Sequence, residues 1–246
     1  MVQKLNSLYT ILFFSMCMTC FSQENNSLTP KIDNYKTDSS YLHFSKLSGP
    51  VAKAQIIALK KGALLVRLKT NANTIQRLKQ AGNIDLATQV ERETFLNNKA
   101  IVRAYLKEFN FCPVYFFYST YSDSVKQQKL TGIFLDSNLV QSPSIVCSAS
   151  FYLIAEQGSV YNSSLGFVPL SKAMTAKENG TASKEVAIVV KNRFFIQLHD
   201  PFPFFQNGYA IKKFSTYVKK FNASLINFYT KNQNFQPSPE VQSFVY

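Results

Sequence analysis

The chain has no tryptophan, only two histidines, eight glycines and five arginines among its 246 residues. Each shortage closes a class of function. Without tryptophan, the aromatic residue most typical of carbohydrate platforms is missing, and tyrosine would have to take its place. His43 and His199 are far apart in the chain, and there is no CxxC pair, no HExxH motif and no close acidic cluster. A protein zinc site takes three or four such ligands, so no metal is expected. The glycines form no GxSxG elbow, no P-loop and no GxGxxG turn. The sequence signals of α/β-hydrolase and nucleotide chemistry are therefore absent, and no cofactor is expected.

Acid is scarce as well: 14 Asp and Glu against 27 Lys and Arg give a net charge of +13. Asp136, Glu156 and Asp200 are possible carboxylates for glycoside chemistry, but no spacing marks any two as a working pair. Arg67, Arg77, Arg92, Arg103 and Arg193 are the only arginines, so lysine carries most of the charge. Arginine's planar fork suits bidentate phosphate and base recognition, whereas lysine is a hydrated point charge. The excess fits solubility or loose attraction to an anionic envelope or membrane surface, and not specific nucleic-acid readout.

What is present begins with a leader. Residues 1–22 have a short polar start with Lys4, an apolar run from Leu8 to Phe21, and small residues Cys20 and Ser22 before Gln23. This is the layout of a signal peptide cleaved after Ser22, and the expected location is periplasmic or secreted. The run is shorter than the roughly 20 residues that span a bilayer. A retained leader, or lipidation at Cys17 or Cys20, are the alternatives. Cys112 and Cys147 survive cleavage. Paired in an oxidising compartment they would add about 3–4 kcal/mol in the chain-entropy model. Their apolar surroundings fit buried free thiols equally well.

The expected layout is a signal peptide at 1–22, a polar linker at 23–52, one globular domain at 53–230 and a flexible tail at 231–246. Gly62 to Lys69 reads as a strand. Asn73 and Gln76 form a capping box for a short helix over about 74–81, which Gly82 ends. A longer helix follows from about Asp85 to Glu108, with Ala87, Val90, Thr94, Ile101 and Tyr105 on one face and Phe95, Val102, Leu106 and Phe109 widening it. Val114 to Tyr118, opened by Pro113, is the densest aromatic run after the leader and reads as the central strand. These pieces make a parallel βαβ unit. Thr131 to Leu135 and the run Ile145 to Ala155 read as further strands, and Glu156 to Thr181 as loop with brief strands. Glu185 to Val190 and Arg193 to Leu198 read as a hairpin about Lys191-Asn192. From Tyr209 to Tyr229, Ile211, Phe214, Val218, Phe221, Leu225 and Phe228 recur at three and four, an amphipathic helix. The expected fold is α/β: a mixed sheet flanked by helices, with an N-terminal βαβ unit, a late hairpin and a C-terminal amphipathic helix; α+β is the alternative.

Three places could carry function. Cys112, at the start of a strand, is a nucleophile if His199 or His43 lies beside it, and packing otherwise. Phe202 and Phe204, in the stretch Pro201-Phe-Pro-Phe-Phe205, form either an exposed aromatic lip or a wrap over the last strand. Lys212, Lys213, Lys219 and Lys220 repeat seven apart on the outer face of the last helix, either as a binding face or as ordinary solvated lysines.

Gly62 to Thr70, Phe109 to Ser119 and Phe195 to Phe205 together resemble a family of uncharacterised exported bacterial proteins, over about residues 54–230. The resemblance implies export and one compact domain, and it names no site residue. The function expected is a non-catalytic binding or envelope-associated protein with weak affinity for anionic surfaces. A small thiol enzyme using Cys112 and His199, or a structural subunit of a surface assembly, are the alternatives.

Overall fold

The computed structural model describes residues 39–159, 186–207 and 213–245, with side chains over 46–158, 187–207 and 213–245. In chain order the elements are α1 (Ser39–Lys61), β1 (Ala63–Leu68), α2 (Ala72–Gln80), α3 (Ile84–Glu108), β2 (Val114–Tyr118) and α4 (Ser122–Lys126). They continue with β3 (Phe134–Leu135), β4 (Tyr152–Ser159), β5 (Val186–Lys191), β6 (Phe205–Asn207), α5 (Phe214–Asn232) and α6 (Pro239–Ser243). The strands form one sheet in the order β3-β2-β1-β4-β5-β6. β1 runs parallel to β2 and β4, and the outer pairings are antiparallel. The mixed α/β sheet with its opening βαβ unit is therefore the observed fold.

β1 explains why both faces are covered. Along Ala-Leu-Leu-Val-Arg-Leu the side chains alternate, sending Leu64, Val66 and Leu68 to one core and Ala63 and Leu65 to the other. The first core is roofed by α1, α3 and α5 through Ile56, Leu59, Val102, Tyr105, Val218 and Phe221. The second is smaller, with Val125 of α4, Phe134, Cys147 and Ile154. The strand read as central from its aromatic density, β2, lies instead next to the two-residue edge strand β3, and Val114, Tyr115 and Tyr118 are only half-buried. Aromatic density alone fixes neither full burial nor position in the sheet. The middle belongs to β1 and β4.

Local differences have local causes. α2 starts at Ala72 with Asn71 as its cap in a left-handed conformation (φ 51°), and its side chain makes no cap bond. The Asn71 amide donates instead to Thr94 Oγ1 at 2.8 Å, so the Asn73 capping box does not form. The helix end matches expectation. Gly82 has φ 77°, its N–H donates to the Lys79 carbonyl and Asn83 N–H to that of Leu78, the paired bonds of a Schellman ending. No residue of α2 is buried, and in the first half of α3 only Ala87 is. The helix pair thus projects past the sheet, and Phe95 and Leu106 remain about half exposed instead of widening the buried stripe.

Four further expectations change. The end of the presumed linker is helical from Ser39, with Val51 and Ala52 buried. The presumed flexible tail forms α6, and Val241 and Val245 bury against the main core. The run Ile145 to Ala155 is strand only from Tyr152. The hairpin partner of β5 is not 193–198: the Asn192 carbonyl oxygen of the side chain accepts from the N–H groups of Phe194 and Ile196, each at 3.0 Å, and Phe195 turns left-handed. That tight turn leaves one bridge, Lys191 to Gln197, and the ladder resumes at β6. Glu156 to Thr181, read as loop with brief strands, opens with the end of β4, which runs to Ser159; residues 160–185 lie outside the described residues.

Candidate functional site

The parallel strands β2, β1 and β4 end at one edge of the sheet. The chain leaves β1 for β2 on one side while β4 joins on the other, the kind of switch point where open α/β sheets bind ligands. An open crevice of about 430 Å³ lies at this edge, beside β1 and β2, lined by Arg67, Thr70 and Asn71, the first turn of α2, and Ser119 and Thr120. Thr70 Oγ1 and Ser119 Oγ are 3.3 Å apart, and the Asn98 amide donates to the Lys69 carbonyl at 2.9 Å, holding α3 against the end of β1.

Below the crevice runs a charge chain. Arg67 Nη1 meets Glu156 Oε2 at 2.7 Å, Lys191 Nζ meets Glu156 Oε1 at 2.5 Å, and Arg67 Nε donates to Ser122 Oγ at 2.9 Å. The Arg67 guanidinium also stacks over the Phe195 ring at 5.4 Å. Burial alone would push the Glu156 carboxyl up, but Lys191 and Arg67 together outweigh it and hold it below the ordinary range. A carboxylate gripped by two cations is a structural tie and not a proton carrier. The crevice offers hydroxyls and amides for hydrogen bonding, with no histidine, thiol or free carboxylate lining it.

Cys112 precedes β2 and His199 follows β5, and two strands of the sheet lie between these. Cys112 and Cys147 are both free and buried, Cys112 in the helix-covered core and Cys147 in the core on the opposite sheet face. Of the two alternatives for these cysteines, the structure has the buried free thiols and not the disulfide. Burial pushes the Cys112 thiol up to about 12, only partly offset by the Lys60 amine and the Leu64 backbone. Its loop is pinned from two helices: Lys60 donates to the Phe111 carbonyl at 2.6 Å, and buried Asn222 of α5 accepts from the N–H groups of Asn110 and Phe111, each at 3.1 Å. His199 follows the turn after β5, with Phe204 as ring neighbour and Asp200 beside it; desolvation lowers its pKa and Asp200 raises it. β1 and β4 separate β2 from β5, on the order of 14 Å at one strand spacing each. Site-resolved thiol labelling of the native protein at neutral pH is expected to leave Cys112 unmodified until the chain is unfolded. Rapid native modification of Cys112 would return the thiol-enzyme reading.

Phe202 and Phe204 are 1% and 7% exposed and pack in the main core, so they form no aromatic lip. The two rings, each directly after a proline, close the core ahead of β6 in preference to facing water. His43 is among the residues whose side chains are not described. Of the lysines, Lys213, Lys219 and Lys220 are exposed on α5, and Lys212 lies outside the described residues. The α5 seam of Phe214, Val218, Phe221 and Leu225 is fully committed to the core. No cluster of three or more His, Cys, Asp or Glu suited to a metal occurs among the described residues.

The crevice was not anticipated, because Arg67, Thr70, Ser119 and Glu156 become neighbours only through strand order. Polar residues directly after two apolar strands, Thr70-Asn71 and Ser119-Thr120, were the available signal. Compared with family models, curated proteins and solved structures, the chain matches none.

Proposed function

We propose that this chain is a non-catalytic binding protein that associates weakly and reversibly with anionic surfaces of the cell envelope. The division of α5 supports this reading. Its apolar seam is buried, while Lys213, Lys219 and Lys220 face solvent and the helix contains no acid. The crevice adds little to the attraction, since the one cation among its described lining residues, Arg67, is paired with Glu156. With the seam occupied by the core, α5 contributes charge and no insertion. Each lysine near an anionic surface is worth about 1 kcal/mol, and exposed charges more than about 10 Å apart are screened at 0.1 M salt.

The test is the variant with Lys212, Lys213, Lys219 and Lys220 all changed to Gln, compared with the parent chain for cosedimentation with phosphatidylserine-containing vesicles at low salt. A fall in bound protein of at least about tenfold is expected from the removed charge. Equal binding by the two chains would remove the lysine face from the account.

A further inference from the structure

We infer that the outward face of α3 is an interfacial contact that enters the headgroup layer of an anionic lipid surface. This rests on the anionic-surface reading above and places its apolar component on a helix other than α5.

Twelve large apolar side chains are exposed among the described residues, and α3 carries five of them, so this helix departs most from a solvated surface. Along it, Arg92, Leu96, Lys99, Arg103 and Leu106 follow one another at four, three, four and three residues. That spacing is one row on a helix, about 21 Å long at 1.5 Å per residue. Leu96 and Leu106 are each 54% exposed, and Phe95 beside the row is 50% exposed. Arg92 and Arg103 face solvent, while Lys99 is half-buried and reaches the Ser137 carbonyl and Asn138 Oδ1. The row itself contains no acid. Of the flanking acids, Glu91 is paired with Lys79, Glu93 is exposed and accepts from the Gln89 amide, and Glu108 accepts from Ser215 and lies against Lys107.

The face is therefore cationic, apolar at intervals, and carried on a helix pair that projects beyond the sheet. An anionic bilayer matches all three features: leucine and phenylalanine enter the boundary between headgroups and acyl chains, and the long basic side chains reach back to the lipid phosphates. The surface also joins the lysines of α5. Lys219 lies close enough to Glu108, at the end of α3, to act on its charge. α3 and α5 pack together, with Ser215 of α5 donating to Glu108 at the end of α3, and the apolar contacts of the proposed surface come from α3.

The absence of native tryptophan makes the test local. In the full chain carrying Phe95→Trp, the only indole reports on this face whatever the N-terminal leader does. On phosphatidylserine vesicles its emission is expected to shift to the blue and to be quenched by brominated acyl chains, with no change on phosphatidylcholine alone. Adding Leu96→Ser and Leu106→Ser should reduce the vesicle affinity read from this signal about tenfold. Both positions are exposed, and an unchanged melting temperature would show that the fold persists. An unmoved indole on anionic vesicles overturns the inference. If binding still falls in the Lys→Gln variant while the indole stays unmoved, only this inference fails. If neither responds, both readings fail. An indole shift with soluble polyglutamate but not with vesicles would assign the face to an acidic protein and likewise overturn the lipid assignment.

Discussion

Replacing Glu156 with alanine is expected to destabilise the fold by about 3 kcal/mol, a large share of the stability of a domain this size. Among the described residues Glu156 alone bridges Arg67 of β1 and Lys191 of β5, and its side chain is 11% exposed. Its removal leaves two cations side by side with side-chain exposures of 27% and 17%, with repulsion in place of attraction. Partial exposure of Arg67 keeps the loss below that of a fully buried triad. Unfolding in urea measures it, through a lower midpoint at unchanged slope.

The same group sets an acid limit. Because Lys191 and Arg67 hold the folded carboxyl below its ordinary value of 4.5, the Glu156 contribution is complete above that value. It is lost as pH falls through the lower folded value. Stability should therefore decline below about pH 4.5 more steeply in the parent chain than in Glu156→Gln, which has no proton to take up there. Parallel curves for the two chains would show that the carboxylate is not held by its partners.

The second large effect is expected at Gly62→Ala. Gly62 joins α1 to β1 where β4 begins, and a methyl group there would press on the Phe151 carbonyl oxygen more closely than real Cβ atoms approach one, and on that of Ala58 at 3.0 Å. Both obstacles are backbone, so no side chain can swing away. The Phe151 oxygen is also the acceptor for Ala63 N–H at 3.1 Å, the bond that starts the β1 to β4 register. Making room means parting the two middle strands. A cost of about 3 kcal/mol follows from overpacking of this kind, lowering the melting temperature by roughly 6–12 °C. A melting temperature within a degree or two of the parent would show that the junction can yield.

Local periodicity carried much of the fold. α3 and α5 were readable from the helical period of their apolar residues, β1 and β2 from short apolar runs, and Gly82 marked a helix end by the left-handed geometry it adopts. The features that were not readable depend on partners distant in sequence. Val241 and Val245 are isolated apolar residues in a polar tail, and only the presence of α1 gives them a place to bury. The pairing of β5 with β6 depends on a turn at Asn192 that pushes the nearer segment out of register. The lysine face of α5 followed from spacing alone, whereas the crevice at Thr70 and Ser119 required the order of the strands. Cys112 showed the limit of motif reading: its position at a strand start resembled that of a nucleophile, but the loop around it is pinned and dry.

The account centres on reversible attraction between a basic helical surface and an anionic one, and salt tests that most directly. Binding of the parent chain and the Lys212/Lys213/Lys219/Lys220→Gln variant to vesicles with and without phosphatidylserine should be followed from about 0.02 to 0.5 M salt, the range over which the Debye length shrinks several-fold. The parent chain should bind anionic vesicles well above the variant at the low end and converge with it at the high end, while vesicles without anionic lipid should not separate the two. Binding by the parent chain that is independent of salt, or of lipid charge, would contradict the account.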